Sequence, residues 1–338
     1  MDFRLEFDVK PFSTRIKHTD KILLTGSCFT EHIARNLSET KFNIISNPNG
    51  ILFNPVSIAD AVITYIEKKI YRKDDLFYFN ESWNSWDHHS RFSSPDIQKA
   101  LDEINNSQLS AHEFLKQSDW LIISLGSAFV YEWDNQITEL NYPQGRLSPT
   151  VANCHKVPAN KFRKRLLSVE EVLAVLDEMI YRLSFFNPNI KIIFTISPVR
   201  HIREGFVENN KSKAVLIHCV HQLVEKFDKL YYFPAYELVL DDLRDYRFFA
   251  EDMVHPNYLA TQYVWEKFTA AGIDPSCYSI IKEIQKINTA YKHRPFNAAS
   301  DAHKQFLQSQ LEKIRQLMQT YPYLDFREEI QHFEKEKP

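Results

Sequence analysis

The chain has 338 residues, of which 44% are hydrophobic and 25% charged, and its formal net charge is −3. That length exceeds one minimal core and suits one large α/β domain with extensions, or two domains. The near-neutral balance excludes a globally basic nucleic-acid surface, and the absence of any run of about 18 apolar residues excludes a predicted transmembrane helix.

The first eight residues, Met1 to Asp8, are charged from the start and lack the apolar core of a secretory signal. Cys28, Cys154, Cys219 and Cys277 show neither CxxC pairs nor zinc spacing, so they read as free thiols and the expected compartment is the cytoplasm. Residues 1–20 read as an extended lead-in, and residues 21–25 as a buried strand that runs into Gly26. The spacing of Ile33, Ala34 and Leu37 predicts a helix over 30–40 with Thr30 as N-cap. Residues 43–54 read as a loop around Asn47-Pro48-Asn49-Gly50, and 57–69 as a helix. The aromatic and polar stretch 76–95 reads as an insertion with a short hairpin. A helix over 110–117 leads to a clean apolar strand, Trp120 to Leu125, that ends at Gly126. A polar loop follows over about 135–160, then a helix over 169–186 and a strand from Lys191 to Ile196 stopped by Ser197-Pro198. The pattern continues with a helix over 212–227, a strand over 230–234 and a helix over 258–271. From about residue 288 the composition shifts to Lys, Gln and Glu. Residues 303–318 there read as a charged amphipathic helix, and the last residues as frayed. The resulting division is a main domain over 1–287 and a helical extension over 288–338.

Short strands that are apolar on both faces and alternate with helices predict a mainly parallel sheet covered by helices on both sides. Ligand sites in such sheets lie outside the carboxyl ends of the strands. Gly26, Gly126, Ser197 and the segment Asp252-Met253-Val254-His255 all fall at or soon after strand ends, so one rim can gather them. Two of these segments carry chemistry. Ser27 and Cys28 place a hydroxyl and a thiol in a glycine turn before a helix, whose N-terminus favours the thiolate. Asp252 stands three residues before His255, close enough for its carboxylate to orient the imidazole. Only six glycines occur in the chain, which draws attention to those at turns, Gly26, Gly50 and Gly126. His88 and His89, with His155 and His201, lack the i, i+4 spacing of a zinc pair and read as pocket-lining groups. Arg200 and His201, just past a strand end, suit an anionic substrate group or a structural ion pair.

Gly26-Ser27-Cys28-Phe29-Thr30 resembles the signature of the GSCFA-domain family, with Thr in the fifth place. Ser85-Trp86-Asp87-His88-His89-Ser90, Val151 to Pro158, Ser197 to His201 and Arg244 to Phe248 extend the resemblance over most of the chain up to about residue 275. The family is grouped with the SGNH (GDSL-like) hydrolases. The resemblance therefore implies a three-layer α/β/α fold and ester hydrolysis without a cofactor, with an O-acetyl group on a carbohydrate as the substrate class. It implies Asp252 and His255 as the C-terminal block and Gly50 as an oxyanion glycine. Aligned on Gly26, the usual nucleophile position holds Cys28, with Ser27 one residue before it, and both stay open. The usual Gly-x-Asn block reads Gly126-Ser127-Ala128 here, leaving Ser127 or Asn153 to replace the asparagine. Two other classes remain beside the esterase: a ligand-binding protein that keeps the fold without turnover, and an O-acyltransferase. The partners implied are a small-molecule or carbohydrate ester, without nucleic acid or membrane, and the oligomeric state is left open.

Overall fold

A computed structural model describes residues 5–133 and 148–335. In chain order its elements are β1 (Lys21–Gly26), α1 (Cys28–Glu39), β2 (Asn43–Ser46), α2 (Pro55–Glu67), β3 (Leu76–Phe79), β4 (Ser82–Ser85), α3 (Ile97–Lys116), β5 (Trp120–Leu125), β6 (Phe129–Trp133), β7 (Thr150–Val151), β8 (Phe162–Leu166), α4 (Val169–Phe186), β9 (Lys191–Ile196), α5 (Phe206–Lys226), β10 (Leu230–Phe233), α6 (Ala235–Glu237), α7 (Tyr258–Gly272), α8 (Tyr278–Tyr291), α9 (Asp301–Thr320) and α10 (Arg327–Lys335).

The main sheet has the order β10-β9-β5-β1-β2, and all its neighbours run parallel. Side chains alternate across a strand, so each strand divides its apolar residues between two cores. Ile22, Leu24, Trp120, Ile122, Ile193 and Phe233 face one side, where they pack with Phe29 and Ile33 of α1, Val264 and Phe268 of α7, and residues of α8, α9 and α10. Leu23, Leu121, Ile123, Ile192, Phe194 and Ile196 face the other, against α2, α3, α4 and α5. The result is a three-layer α/β/α sandwich with a helical C-terminal region whose apolar side chains join the first of these cores. No helix among the described residues is long and apolar enough to cross a membrane.

Several local expectations change. The chain turns helical at Cys28, two residues before the expected start. Thr30 is therefore inside the helix with its hydroxyl buried and unpartnered. The segment expected as a loop from residue 43 opens with β2, an edge strand registered on β1 from Lys21↔Asn43 to Leu24↔Ser46. Two isoleucines between polar residues are a weak strand signal, and an edge position asks for little more. The helix expected over 110–117 is α3, twenty residues long and capped by Asp96. The polar stretch after β5 contains a three-stranded antiparallel sheet, β7-β6-β8; residues 134–147 of the expected loop lie outside the described residues. Helix α8 was not anticipated, and the C-terminal residues expected to fray form α10 up to Lys335, with Phe333 fully buried.

Candidate functional site

β2 and β5 flank β1 on opposite sides, so the connections after β1 and β5 leave in different directions and open a crevice at their carboxyl ends. Gly26 stands there with φ +144°, and a Cβ on it would lie 2.3 Å from the Ser124 carbonyl oxygen. Only glycine lets β1 approach β5 this closely. Ser27 N–H then donates to Ser124 O (3.1 Å), and the Ser27 and Ser124 hydroxyls pair at 2.9 Å. The Ser27 side chain is thus buried in the seam between the two strands. Cys28 opens α1, is part-exposed, and faces the backbone N–H groups of Phe29 and of Cys28 itself. Burial, with Glu31, pushes its thiol up, while those N–H groups and the Lys213 ammonium pull it down; the net direction is upward.

Gly50, expected to offer a backbone donor, is engaged, as is Gly126. Gly50 has φ +81°, lies hard against His89 Cβ, and donates its N–H to Asn47 O at 2.7 Å. Asn47 in turn accepts from Gly26 N–H through Oδ1 (2.9 Å), so the loop after β2 is hung from the end of β1. Gly126 and Ser127 both donate their N–H groups to Phe53 O, at 2.8 and 3.0 Å. The Ser127 hydroxyl pairs with Ser212 Oγ at 3.2 Å, and Asn153 Oδ1 accepts the N–H of His155 at 2.8 Å. The Gly50 N–H expected as an oxyanion donor is thus used within its own turn, and those of Gly126 and Ser127 are used on the segment before α2.

The segment from Phe249 to Asn257 is a closed loop. Ala250 N–H donates to His255 O (2.7 Å), Asn257 caps α7, and Met253 takes φ +58° at the tip. Asp252 Oδ1 accepts the N–H groups of Val254 and His255 at 2.9 and 3.0 Å, and Oδ2 lies 2.6 Å from His255 Nδ1. These bonds, led by that from His255 N–H, hold the Asp252 carboxyl down at about 2. Both side chains are half exposed. Arg200 ties this loop to the end of β9. Its N–H reaches Val254 O (3.4 Å), and its guanidinium lies 4.2 Å from the Phe249 ring centroid. It braces the loop, and it also lines an open pocket with Asn209, Tyr236 and Arg244.

Side chains around the two segments include His32, His201 and Lys213. His32 lies four residues after Cys28 on α1, hence on the same helix face. Its imidazole senses His255, and it lines one groove with Pro256 and Asn257. His201 packs against Phe53 and beside Gly126, and senses both Lys213 and His255. Burial, reinforced by Lys213, drives His201 down to about 4. Burial pushes the Lys213 ammonium down to about 7. Its fully buried Nζ donates to Gly126 O and Ser197 O, each at 2.6 Å, at the ends of β5 and β9.

The other histidines divide. His88 is fully buried, with Nδ1 2.9 Å from Ser85 Oγ and the ring edge-on to Tyr71 and Phe92; it belongs to the core and does not line a cleft. His89 sits against Gly50, its Nδ1 accepting Arg91 N–H at 3.2 Å, with a ring that burial holds below its ordinary range. His155 meets Ser85 O at 2.7 Å and is pushed down to about 4 by burial. Among the described residues no three His, Cys, Asp or Glu side chains converge on a possible metal position.

Lys213, His32, Asn47 and Ser124 were not anticipated. For two of them a signal exists in the chain. Lys213 lies on the apolar stripe of α5 with Leu216 and Val220, a place where a lysine is out of character. His32 follows Cys28 at helical spacing.

The profile described as the GSCFA family matches residues 21–268. The chain belongs to the GSCFA family. A second profile, described as the C-terminal domain of GSCFA domain proteins, matches residues 284–337. Among curated proteins none matches. Similar solved structures include a carbohydrate esterase family 3 protein from Talaromyces cellulolyticus, at 10% identity over 78% of this chain and 99% of that one, with a TM-score of 0.35. Another is a family 3 carbohydrate esterase from Clostridium thermocellum, at 11% identity over 78% and 98%, with a TM-score of 0.33. A third is an acetyl xylan esterase from Butyrivibrio proteoclasticus, at 10% identity over 75% and 63%, with a TM-score of 0.36.

Proposed function

We propose that this GSCFA protein hydrolyses esters through a thiol, with Cys28 as nucleophile, His255 as general base and acid, and Asp252 as the group that orients His255. What supports the reading is a part-exposed Cys28 at the N-terminus of α1, an Asp252–His255 pair at 2.6 Å, and a groove shared by His32, one helical turn after Cys28, with Pro256 and Asn257 beside that pair. Cys28 is preferred to Ser27 because the Ser27 hydroxyl is buried and paired with Ser124 Oγ. In the first step Cys28 Sγ bonds to the acyl carbon and its proton passes to His255. Asp252 on Nδ1 stabilises the imidazolium. The oxyanion meets the N–H groups of Cys28 and Phe29, with donors of this kind worth about 3 kcal/mol each. Collapse breaks the C–O bond, the alcohol leaves with the proton from His255, and water cleaves the thioester by the same route. An O-acetylated carbohydrate is the substrate class we infer from the family resemblance.

A second reading has its own support. With the N–H groups of Gly50, Gly126 and Ser127 spent on protein carbonyls, the rim suits a ligand site without turnover. Nitrophenol release from a short-chain nitrophenyl ester and acetate release from acetylated xylan separate the two readings. Loss in Cys28→Ala and His255→Ala, with Ser27→Ala active, supports the thiol hydrolase. Turnover at background level in the parent and all three variants alike removes it and leaves ligand binding without chemistry.

A further inference from the structure

A pocket of about 430 Å³ adjoins the Asp252–His255 loop, and the chemistry proposed above leaves it unused. Two arginines line it, Arg200 from the segment after β9 and Arg244 from the turn after α6. Arg200 is half-buried, and three rings fix the direction of its guanidinium. The centroids of Phe249, Tyr246 and Phe206 lie 4.2, 5.2 and 5.9 Å from it. A guanidinium carries five N–H donors in a rigid fork. Here the fork donates to one protein atom among the described residues, Met253 O, at a long 3.5 Å. The main-chain N–H of Arg200 meets Val254 O at 3.4 Å, so the pocket is tied directly to the segment that carries Asp252 and His255.

Arg244 ends a π-helical turn over Leu238–Leu243, and its own N–H donates to Val239 O at 3.2 Å. It takes φ +36°, a left-handed conformation uncommon in residues other than glycine, and π turns gather at functional sites. Its side chain makes no hydrogen bond or ion pair among the described residues. Asp241 lines the same pocket and pairs with neither arginine. Asn210 adds an amide whose NH2 faces no protein acceptor, because its Oδ1 already accepts from Asn209 Nδ2 at 3.2 Å.

The charges choose the ligand. Two guanidiniums against the Asp241 carboxylate leave a single positive charge, which one carboxylate neutralises and a phosphate dianion exceeds. The planar fork of arginine matches a carboxylate in two parallel bonds. Phe206 and Tyr246 also line the pocket and are both more than half exposed. Bare rings beside an anion site suit a ligand with an apolar face, and a pyranose presents such a face through its axial C–H groups.

We propose that this pocket binds a hexuronate unit of a glycan, its carboxylate on Arg200 and Arg244 and its ring against Tyr246 and Phe206. The sugar rests on the substrate class proposed above, and the carboxylate rests on the two arginines. An acidic glycan held there lies against the same loop that presents His255.

The test is ligand-observed NMR titration of the full chain with galacturonate and with galactose, which differ in the carboxylate. The parent should bind galacturonate about tenfold more tightly than galactose. Arg244→Gln should weaken galacturonate by about five- to tenfold and leave galactose unchanged. Asp241→Asn, which removes the opposing charge, should tighten galacturonate by about two- to threefold. Equal binding of the two sugars by the parent, or unchanged galacturonate binding in a folded Arg244→Gln protein, overturns the proposal. If that variant does not fold, Asp241→Asn decides, and binding no tighter than in the parent overturns it. Inorganic phosphate that displaces galacturonate at a lower concentration than galacturonate itself needs also overturns it, in favour of a phosphate ligand. Acetate release from acetylated xylan is measured in parallel. A protein without turnover that binds galacturonate loses the hydrolase reading and keeps this pocket, and turnover without galacturonate binding does the reverse.

Discussion

Replacing Gly26 by alanine should damage the fold and the site together, and the structure supplies the size. At φ +144° an L side chain is strained, by about 1–2 kcal/mol. The added Cβ would also stand 2.3 Å from Ser124 O and 2.8 Å from Ser124 N, both backbone atoms that cannot swing away. Relieving that overlap means separating β1 from β5 where the Ser27–Ser124 bonds close the seam, a distortion of the kind that costs about 1–3 kcal/mol. Gly26→Ala should therefore lose about 2–5 kcal/mol. Gly205 provides the control. It has φ +86° with no heavy atom within 4 Å of a new Cβ, so Gly205→Ala should lose only the strain, about 1–2 kcal/mol. Urea unfolding followed by circular dichroism measures both, and alkylation of Cys28 in the folded fraction reports whether the turn has moved. If Gly26→Ala costs no more than Gly205→Ala, the close approach of the two strands is not what demands glycine, and the account of the crevice fails.

Acidification should destabilise the protein between about pH 6.5 and 4. His155 and His201 are mostly buried and titrate near 4 in the fold, so over that window the unfolded chain binds more protons and stability falls as pH falls. Each contributes at most about 3 kcal/mol. Thermal unfolding against pH should show a shallower slope in His155→Gln, and an unchanged slope would exclude that histidine as a source. Phe333→Ala should cost about 3–5 kcal/mol in urea unfolding, because α10 delivers that ring fully buried to the core shared with α1 and the sheet. Near-neutral behaviour would mean that α10 is not docked in solution. Arg200→Ala should open the Phe249–Asn257 loop, since the stack on Phe249 is worth about 0.5–1 kcal/mol. Chymotryptic cleavage at Tyr246 and Phe248 should accelerate by roughly two- to fivefold; equal rates would place the loop's restraint elsewhere.

The parts of the fold that the sequence announces are those where one physical effect dominates. Strands β1, β5 and β9 are continuous apolar runs because both faces are buried, and their composition alone separates them from the helices between them. Helix α4 begins with a Ser168–Glu171 capping box and is bounded where periodicity places it. The failures lie where tertiary context decides. β2 is half exposed and gains its partner only because Asn47 is hung from Leu24 and Gly26. β6 and β8 are mixed polar strands whose inner faces meet Trp86 and Phe77, far away in sequence. α10 is a nine-residue segment too short to be helical alone, and buried Phe333 supplies what local propensity does not.

The candidate site was legible as residue types but not as roles, and the reason is that roles here depend on which hydrogen bonds are already made. Ser27 and Cys28 are adjacent and chemically similar, yet one rotation of the chain at Gly26 sends the hydroxyl into the β1–β5 seam and leaves the thiol at the helix start. His88 and His89 are adjacent too, and the same alternation buries the first in the core and sets the second against Gly50. Gly50 carries an N–H group that a motif would count as a donor, but it is donated to the Asn47 carbonyl that closes its own turn. Conversely, Lys213 belongs to no motif; it becomes informative only when its helix packs its apolar stripe onto the sheet and the ammonium arrives, fully buried, between Gly126 O and Ser197 O. A charge in that place is retained against a desolvation cost of several kcal/mol. The Gly126 and Ser197 carbonyls offset part of that cost, and burial still pushes the lysine down to about 7.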